Sequence, residues 1–489
     1  MTEKLRAPST LRRPLPNPGD RSFYILTSAQ NNTDLNQGCW DNLLAYAKHL
    51  DAEIMVATYT YDKAHQIASK KKTAKESDRQ PEWWVPEIDP YTCDERVALA
   101  PGLVWCGELQ ILPTAINPIS GFESYTGRKS TILPHPKFAM QSIASPKGTG
   151  TKFIYTTGTV TKRNYIQKKA GQKAEFHHGY GALIVEIDSE GQWFVRQIST
   201  QDNGTFYDLQ TRVMGGVVSS DQHRPEAIVW GDIHERHLEQ RMKDLCFGAG
   251  GVLDTLRPRY QVLHDVLDFR AQNHHDRDDS WKTFKKFCEG GLSVEQEIKD
   301  TASFLLTVDR KWCTTAVVCS NHDMAMVRWL KEADFRVDPE NALFFLEANQ
   351  AAYMSILRQD TAFYPIEWAM RRTWPLGTVV HGIKFLRRDE RFTVCPDKAG
   401  GIELGMHGDI GANGARGINL RTFAKTGRKC VVGHGHSAGW FEGARQVGVL
   451  SALDQGYNEG MSSWSHTNAL IYPNGKMTLF TIWNYKWRA

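Results

Sequence analysis

The sequence of 489 residues is 41% hydrophobic and 23% charged, with a net charge of +4 at pH 7. These values are typical of a soluble globular protein of about two domains, and no apolar run approaches the ~20 residues of a membrane-spanning helix, which excludes a membrane protein. The net charge is too small to indicate a nucleic-acid-binding protein by itself. The nine cysteines never form a Cys-x-x-Cys pair, which favours a cytoplasmic, reducing location and argues against a thiolate zinc site.

The first half of the chain predicts a mixed α/β accessory domain over residues 21–222. Residues 1–20 are polar, basic and proline-rich without an apolar segment, and they predict a flexible N-terminal tail with no secretion signal. Residues 23–28, 40–50 and 53–59 have the pattern of a strand, a helix and a strand, without the glycine-rich turn of a dinucleotide site. Residues 183–187 and 193–198 predict a β-hairpin around the turn 188–191.

One basic segment of this half interleaves cations with an aromatic ring, a mixture that can hold a phosphate backbone and stack a base. Its residues predict a DNA contact, and the alternative is a solvated loop. They are Lys162, Arg163, Tyr165, Lys168 and Lys169.

The second half places polar side chains wherever an apolar run ends. The run 227–231 leads to Asp232 and His234, which lie two apart and would share one side of an extended strand. The run 260–263 leads to Asp265, which could bridge two metals, and to Asp268, which could orient a ligand. Three further clusters follow in the chain: Asn321, His322 and Asp323; His407; and His434 with His436.

This ordered set of Asp-x-His, Asp-x-x-Asp, Asn-His-Asp, His and Gly-His-x-His resembles the calcineurin-like metallophosphoesterase family over residues 223–489. The resemblance implies an α/β fold in which two packed mixed sheets, flanked by helices, form a sandwich behind the accessory domain. It implies two divalent metals, with Asp265 shared between them. The implied ligands are Asp232, His234, Asp265 and His436 for one metal, and Asp265, Asn321, His407 and His434 for the other. The sequence departs from the family pattern at His264 and Ser320, where glycine is usual.

The resemblance also implies catalytic roles and a reaction. His322 would protonate the leaving group with Asp323 tuning it, Asp268 would orient a ligand, and a hydroxide held by the metals would attack phosphorus. Nitrogen and oxygen ligands favour manganese, with iron, zinc or magnesium as alternatives.

The substrate expected from the sequence is DNA. The segment His407-Gly-Asp-Ile-Gly-Ala-Asn-Gly-Ala-Arg416 resembles phage-encoded metallophosphoesterases, among them nucleases that degrade host DNA, and Arg416 with its glycine-rich turn could hold a phosphate. A phage protein of this kind would act in the host cytoplasm. The alternatives are a phosphomonoesterase or nucleotide phosphatase, and a non-catalytic DNA-binding scaffold on the same fold. No membrane partner is expected, and homo-oligomerisation is left open.

Overall fold

The computed structural model describes residues 21–61, 81–220, 223–273, 276, 279–397, 400–417 and 419–489. The predicted N-terminal tail, residues 1–20, lies outside the described residues. The described chain is a mixed α/β structure of several sheets and helices. No helix in these ranges is long and apolar enough to cross a membrane.

The strands are numbered in chain order. They are β1 Ser22–Gln30, β2 Glu53–Tyr59, β3 Arg96–Ala100, β4 Leu103–Cys106, β5 Ser130–Leu133, β6 Ala139–Ile143, β7 Lys152–Thr156, β8 Gly181–Ile187, β9 Trp193–Ser199, β10 Phe206–Asp208, β11 Thr211–Met214, β12 Val217–Ser219, β13 Ala227–Val229, β14 Tyr260–Leu263, β15 Thr314–Val318, β16 Ile383–Leu386, β17 Thr393–Val394, β18 Ile402–Glu403, β19 Lys429–Val432, β20 Gly439–Phe441, β21 Ala444–Gln446, β22 Thr467–Ile471 and β23 Met477–Thr481.

The α-helices are numbered in the same way. They are α1 Gln37–Leu50, α2 Lys169–His177, α3 Gln240–Phe247, α4 Val252–Leu256, α5 Ser280–Cys288, α6 Val294–Val308, α7 Asn321–Glu332, α8 Ala342–Leu357, α9 Pro365–Arg372 and α10 Leu420–Ala424.

A six-stranded sheet has the order β16-β15-β14-β13-β22-β23, and its first four strands are parallel. Parallel strands in register end at the same edge of a sheet. The polar residues that follow these strands in the sequence are therefore delivered to one edge, although they are far apart along the chain.

A four-stranded sheet, β2-β1-β8-β9, contains the predicted strand–helix–strand unit and the predicted hairpin. Helix α1 starts where the Asn36 side chain accepts a hydrogen bond from the Cys39 N–H, the usual capping arrangement. This sheet meets the six-stranded one edge to edge, because the Gln197 N–H of β9 donates to Thr478 Oγ1 of β23 at 3.1 Å.

A ten-stranded sheet has the order β17-β18-β19-β21-β20-β6-β7-β5-β4-β3. It takes β3 to β7 from before residue 222 and β17 to β21 from after it, so the predicted accessory segment and the predicted metal-binding segment share this sheet. A small sheet of β10, β11 and β12 completes the set in the described residues.

The core alternates along the central strands, as expected when successive side chains point to opposite faces. On β14, Val262 packs between the sheets in a cluster that includes Leu183 of the four-stranded sheet and Ile132 of the ten-stranded sheet. The next residue, Leu263, packs against helices in a second cluster with Ile298 of α6 and Trp329 of α7. The two faces are therefore both buried, which holds the strand ends in fixed positions.

Candidate metal centre

The predicted site residues collect at the carboxyl edge of the parallel strands. Asp232 follows β13, Asp265 follows β14, and Asn321 follows β15 as the first residue of α7. His434 follows β19 of the facing ten-stranded sheet, which brings the second sheet to the same place. Residues that follow strands of both sheets thus meet in one cluster.

One group of four side chains offers ligand atoms that all lie within 4.8 Å of one another. The group consists of Asp232, His234, Asp265 and His436, and all four are buried. His436 Nε2 is 3.1 Å from Asp232 Oδ2, and His234 Nε2 is 3.1 Å from His436 Nε2. Two carboxylates and two imidazoles at this spacing form a site that could hold a divalent cation.

A second group shares Asp265 with the first and adds His407 and His434. His407 Nε2 lies 3.1 Å from Asp265 Oδ2. The Asn321 Oδ1 oxygen lies 3.1 Å from His407 Nε2 and 3.1 Å from His434 Nδ1, which adds an amide oxygen to the same group. Sequence reasoning placed these residues in two sets joined by Asp265, and the structure brings both sets together.

A third group joins Asp268 to His234 and His322. The Asp268 carboxylate accepts from His234 Nδ1 at 2.9 Å, so Nε2 is the ring nitrogen of His234 that faces the first group. His322 Nδ1 donates to the Asp268 carbonyl at 2.6 Å and lies 3.6 Å from its carboxylate. Asp268 also lies 3.4 Å from His237, a residue that sequence reasoning missed because it has no motif around it.

The backbone at several candidate ligands is in a conformation that residues other than glycine seldom adopt. Positive φ angles occur at His234 (41°), Asp265 (47°), His434 (67°) and His436 (53°). Such conformations cost of order 1–3 kcal/mol each and cluster at functional sites. The expectation that Asp232 and His234 lie on an extended strand is wrong, because β13 ends at Val229 and His234 is left-handed.

Close approach at the centre depends on Gly433, which follows β19 directly. A Cβ at this position would lie 2.2 Å from Asp232 Oδ1 and 3.1 Å from the His264 ring. No side chain fits there without moving a buried carboxylate. The glycine before His434 is therefore part of the site.

The buried carboxylates and histidines of the centre shift one another's pKa values. Burial disfavours the charged form of Asp232, but the hydrogen bond from His436 and the charge of His407 outweigh burial and lower the pKa of Asp232. Burial likewise opposes protonation of His407, yet Asp265 raises the pKa of His407 to about 9. A cation would replace such protons, since a histidine that ligates a metal is neutral.

His264 and Ser320 occupy positions where the calcineurin-like pattern usually has glycine, and both side chains contact other residues of the centre or of α7. His264 is fully buried, its Nδ1 lies 3.4 Å from His407 Nδ1, and burial followed by the His407 charge lowers the pKa of His264 to about 4. Ser320 caps α7 in a reciprocal arrangement, in which its side chain accepts from the Asp323 N–H and the Asp323 carboxylate accepts from the Ser320 N–H. Asp323 is thus engaged in the helix cap, and the carboxylate beside His322 is that of Asp268 instead of the expected Asp323.

The centre opens into a cleft of about 1040 Å³. Arg388, which follows β16, joins two ligand loops there, because its guanidinium donates to Asp409 Oδ1 at 2.7 Å and to the Ser320 carbonyl at 3.0 Å. Tyr457 and Trp464 form an aromatic wall, with the Trp464 ring 4.2 Å from that of His436. Sequence reasoning missed all three because each stands outside the motifs, although Arg388 follows an apolar run like the ligands do.

The residues expected to contact DNA lie in different surroundings. Arg416 lines the cleft. Lys162, Arg163, Tyr165, Lys168 and Lys169 do not line it. The expectation for Tyr165 is wrong, because its ring is 6% exposed and its hydroxyl lies 2.8 Å from His178 Nδ1, so it cannot stack on a base. Lys162 lies 3.6 Å from Asp34, and Arg163 lies 3.1 Å from Asp202.

The fold and centre define a class: a mixed α/β protein with a buried histidine and aspartate cluster that could hold a metal ion. The chain is 36% identical over 476 residues to Protein A1 of Escherichia phage T5, which covers 95% of this chain and 83% of that protein. It therefore belongs to the Protein A1 family, and a phage origin is consistent with this relationship. No protein-family model and no solved structure matches the chain.

Proposed function

We propose that this protein is a metal-dependent phosphodiesterase that hydrolyses DNA at a two-metal site, on a two-sheet sandwich of the metallophosphoesterase type. The observation that carries the proposal is the pair of ligand groups that share the Asp265 carboxylate. One carboxylate common to two sets of neutral nitrogen ligands is what a pair of neighbouring divalent cations requires.

The donor atoms present fit such cations. In the described residues, Asp232 Oδ1 and Asp265 Oδ1 are buried without a hydrogen-bond partner, which leaves a lone pair on each for a metal. The first metal would be held by Asp232, His234, Asp265 and His436, and the second by Asp265, Asn321, His407 and His434. None of these ligand groups contains a cysteine, and this donor set favours manganese, iron or zinc.

Two bound cations would polarise a phosphate ester and activate a water molecule near neutral pH. The residues of the chain prepare the site for this chemistry. Asp268 fixes the His234 ring by accepting from Nδ1, and Arg388 ties the His407 loop to the start of α7 through Asp409 and Ser320. These contacts hold the ligands in one geometry, which lowers the cost of organising the reaction.

His322 is suited to protonate the leaving oxygen. It lines the cleft, is partly exposed, and is a member of neither group of ligands that share Asp265. Its Nδ1 is engaged by the Asp268 carbonyl at 2.6 Å and lies 3.6 Å from the Asp268 carboxylate, which leaves Nε2 as the ring nitrogen that can donate a proton to the leaving oxygen. His322 is therefore the proposed proton donor, and Asp268 holds its ring in position.

The cleft supports a large anionic substrate. It is lined by eight arginine and lysine side chains and by five aspartate and glutamate side chains, of which Asp265 and Asp268 belong to the centre. A pocket for a small phosphomonoester needs neither this volume nor this charge, so DNA is the better match.

The test is hydrolysis by protein stripped of metal and then supplied separately with manganese, zinc or magnesium. The substrates are circular and linear duplex DNA, single-stranded DNA, bis(p-nitrophenyl) phosphate and p-nitrophenyl phosphate. We expect cleavage of DNA and of the diester with restored metal, and no cleavage by Asp265→Asn. Hydrolysis of the monoester alone would make the protein a phosphomonoesterase, and DNA binding without hydrolysis under any metal would make it a scaffold.

A further inference from the structure

Helix α7 has two cationic side chains that line the cleft at increasing distance from the metal centre. Asn321 stands at the centre, and Arg328 and Lys331 line the same cleft seven and ten residues later. At a rise of ~1.5 Å per residue these positions lie about 10 and 15 Å along the helix axis from Asn321. That distance is about four nucleotides long at the ~3.4 Å rise of each DNA strand.

These two cations have no internal role that would neutralise them. In the described part of the chain no carboxylate lies within ion-pair distance of Arg328 or Lys331, whereas Arg388, which lines the same cleft, is paired with Asp409. Lys285 of α5 also lines the cleft, is largely exposed and lies 3.8 Å from Glu289, a loose pair. Positive charge that is not used inside the protein is available to an anionic ligand.

The cleft also has aromatic side chains next to the centre. Trp464 packs edge-on against the ligand His436, and Tyr457 packs against Trp464 with ring centroids 5.6 Å apart. Tyr457 is 56% exposed and lines the cleft, so part of its ring faces the space next to the metal ligands. An exposed aromatic ring in a cleft that is also lined by cations is the arrangement with which proteins hold unpaired nucleotides.

We propose that the cleft binds a single-stranded stretch of polynucleotide, and this rests on the proposed phosphodiesterase function of the centre. Tyr457 stacks the base next to the scissile phosphate, while Arg328, Lys331 and Lys285 hold phosphates further along the strand. The strand is single because the face of a base is open to a tyrosine ring only when the base has left the duplex stack. Duplex DNA reaches the metals only after local opening.

Binding measured without turnover tests the inference. Fluorescence anisotropy would follow labelled single-stranded oligonucleotides of increasing length, and a duplex of the same sequence, over a range of salt concentrations in chelator. For Arg328→Ala/Lys331→Ala we expect the slope of log K against log salt to flatten by about 1.4, which is ~0.7 for each phosphate contact to a single strand. For Tyr457→Ala we expect at least ~5-fold weaker binding of single strands, the lower bound for one stacked base.

Matched controls separate this cleft from the rest of the surface. Lys311→Ala/Arg358→Ala removes two exposed cations that do not line the cleft and should leave affinity and slope unchanged. Lys331 is exposed, so Lys331→Glu keeps the test informative if the double variant fails to fold. Unchanged binding by Lys331→Glu and by Tyr457→Ala would overturn the inference. So would a slope that flattens in Lys162→Ala/Arg163→Ala and not in the α7 variant.

Failure of the inference differs from failure of the proposed function. If wild-type protein with restored metal hydrolyses bis(p-nitrophenyl) phosphate while the cleft variants bind oligonucleotides normally, the centre stands and only the strand-binding cleft is wrong. If no phosphodiester is hydrolysed under any metal, the proposed function fails whatever the binding shows, and the inference falls with it.

Discussion

His234 Nδ1 donates to the Asp268 carboxylate at 2.9 Å while the Nε2 of the same ring lies 3.1 Å from His436 Nε2. Two imidazole nitrogens at this distance need a proton or a cation between them. Because the Asp268 carboxylate accepts from Nδ1, a neutral His234 that binds a metal would present its Nε2 lone pair to the ligand group. A residue outside the proposed metal ligands therefore controls the state of a ligand.

Asp268→Ala should weaken metal binding by ~10–100-fold, the usual effect of losing a partner that orients a ligand. The measurement is a calorimetric titration of the metal-free protein with manganese. Asp276→Ala is the control, because Asp276 lines the same cleft but pairs with Lys282 and Lys286. Equal affinities for the two variants would show that Asp268 has no such control.

Asp265→Asn should reduce bound metal from two equivalents toward one or none and abolish hydrolysis, because both ligand groups contain this carboxylate. Metal content by mass spectrometry and hydrolysis of bis(p-nitrophenyl) phosphate are the measurements. Asp323→Asn is a matched buried change that should keep both metals, since the Asp323 carboxylate serves the cap of α7. Full metal content in Asp265→Asn would contradict the two-metal assignment.

Gly433→Ala should lose metal binding while the protein stays folded, because the added methyl would lie 2.2 Å from Asp232 Oδ1. Gly382→Ala is the matched control: its Cβ would have only ordinary contacts, the nearest at 3.5 Å. Circular dichroism checks the fold and a manganese titration checks the site. Normal metal binding by Gly433→Ala would mean that the loop has room to relax.

His322→Ala should retain both metals and yet cleave natural phosphodiesters ~10²–10⁴-fold more slowly, which is the usual contribution of a general acid. A nitrophenyl diester has a good leaving group and should be nearly indifferent to the change. Asn321→Ala, at the neighbouring position, should lose metal as well, because Asn321 Oδ1 contacts two ligand histidines. Equal slowing of both substrates by His322→Ala would assign it to phosphate positioning instead of proton donation.

Acid should destabilise the fold through two buried histidines away from the centre. Burial lowers the pKa of His178 to about 3 and that of His135 to about 4. The unfolded chain binds protons at these residues below pH ~6.5 and the folded chain does not, so stability is full above pH ~6.5 and falls toward pH 4 by up to ~1.4 kcal/mol per pH unit for each histidine.

Urea unfolding between pH 7 and pH 4.5 in chelator measures this dependence. His178→Gln should flatten the fall of the unfolding free energy with acid relative to wild type, whatever its effect at pH 7. His381→Gln changes an exposed histidine and serves as the control. An unchanged slope in His178→Gln would show that His178 takes up its proton in the folded state.

The sequence by itself determined the elements around the site and the identity of the candidate ligands. Apolar runs that stop at an aspartate, an asparagine or a histidine predict strand ends, and β13, β14, β15 and β19 end a few residues before those positions. The hairpin of β8 and β9 was likewise predictable, because alternation and turn chemistry are local properties of the chain. The ligand sets came from the family resemblance, which orders residues that no local rule connects.

Only the tertiary structure decided how these elements meet. The ten-stranded sheet joins segments from both sides of residue 222, and pairing between strands that distant in sequence depends on packing that no local pattern encodes. Burial also explains why the prediction for Tyr165 failed. Its sequence neighbours are basic and predict an exposed segment, but its own ring is buried in the core. The left-handed backbone of His234 and the hydrogen bonds from Arg388 to Asp409 and Ser320 arise because the loops of the candidate ligands must converge on one point. That constraint exists only once the two sheets have packed together.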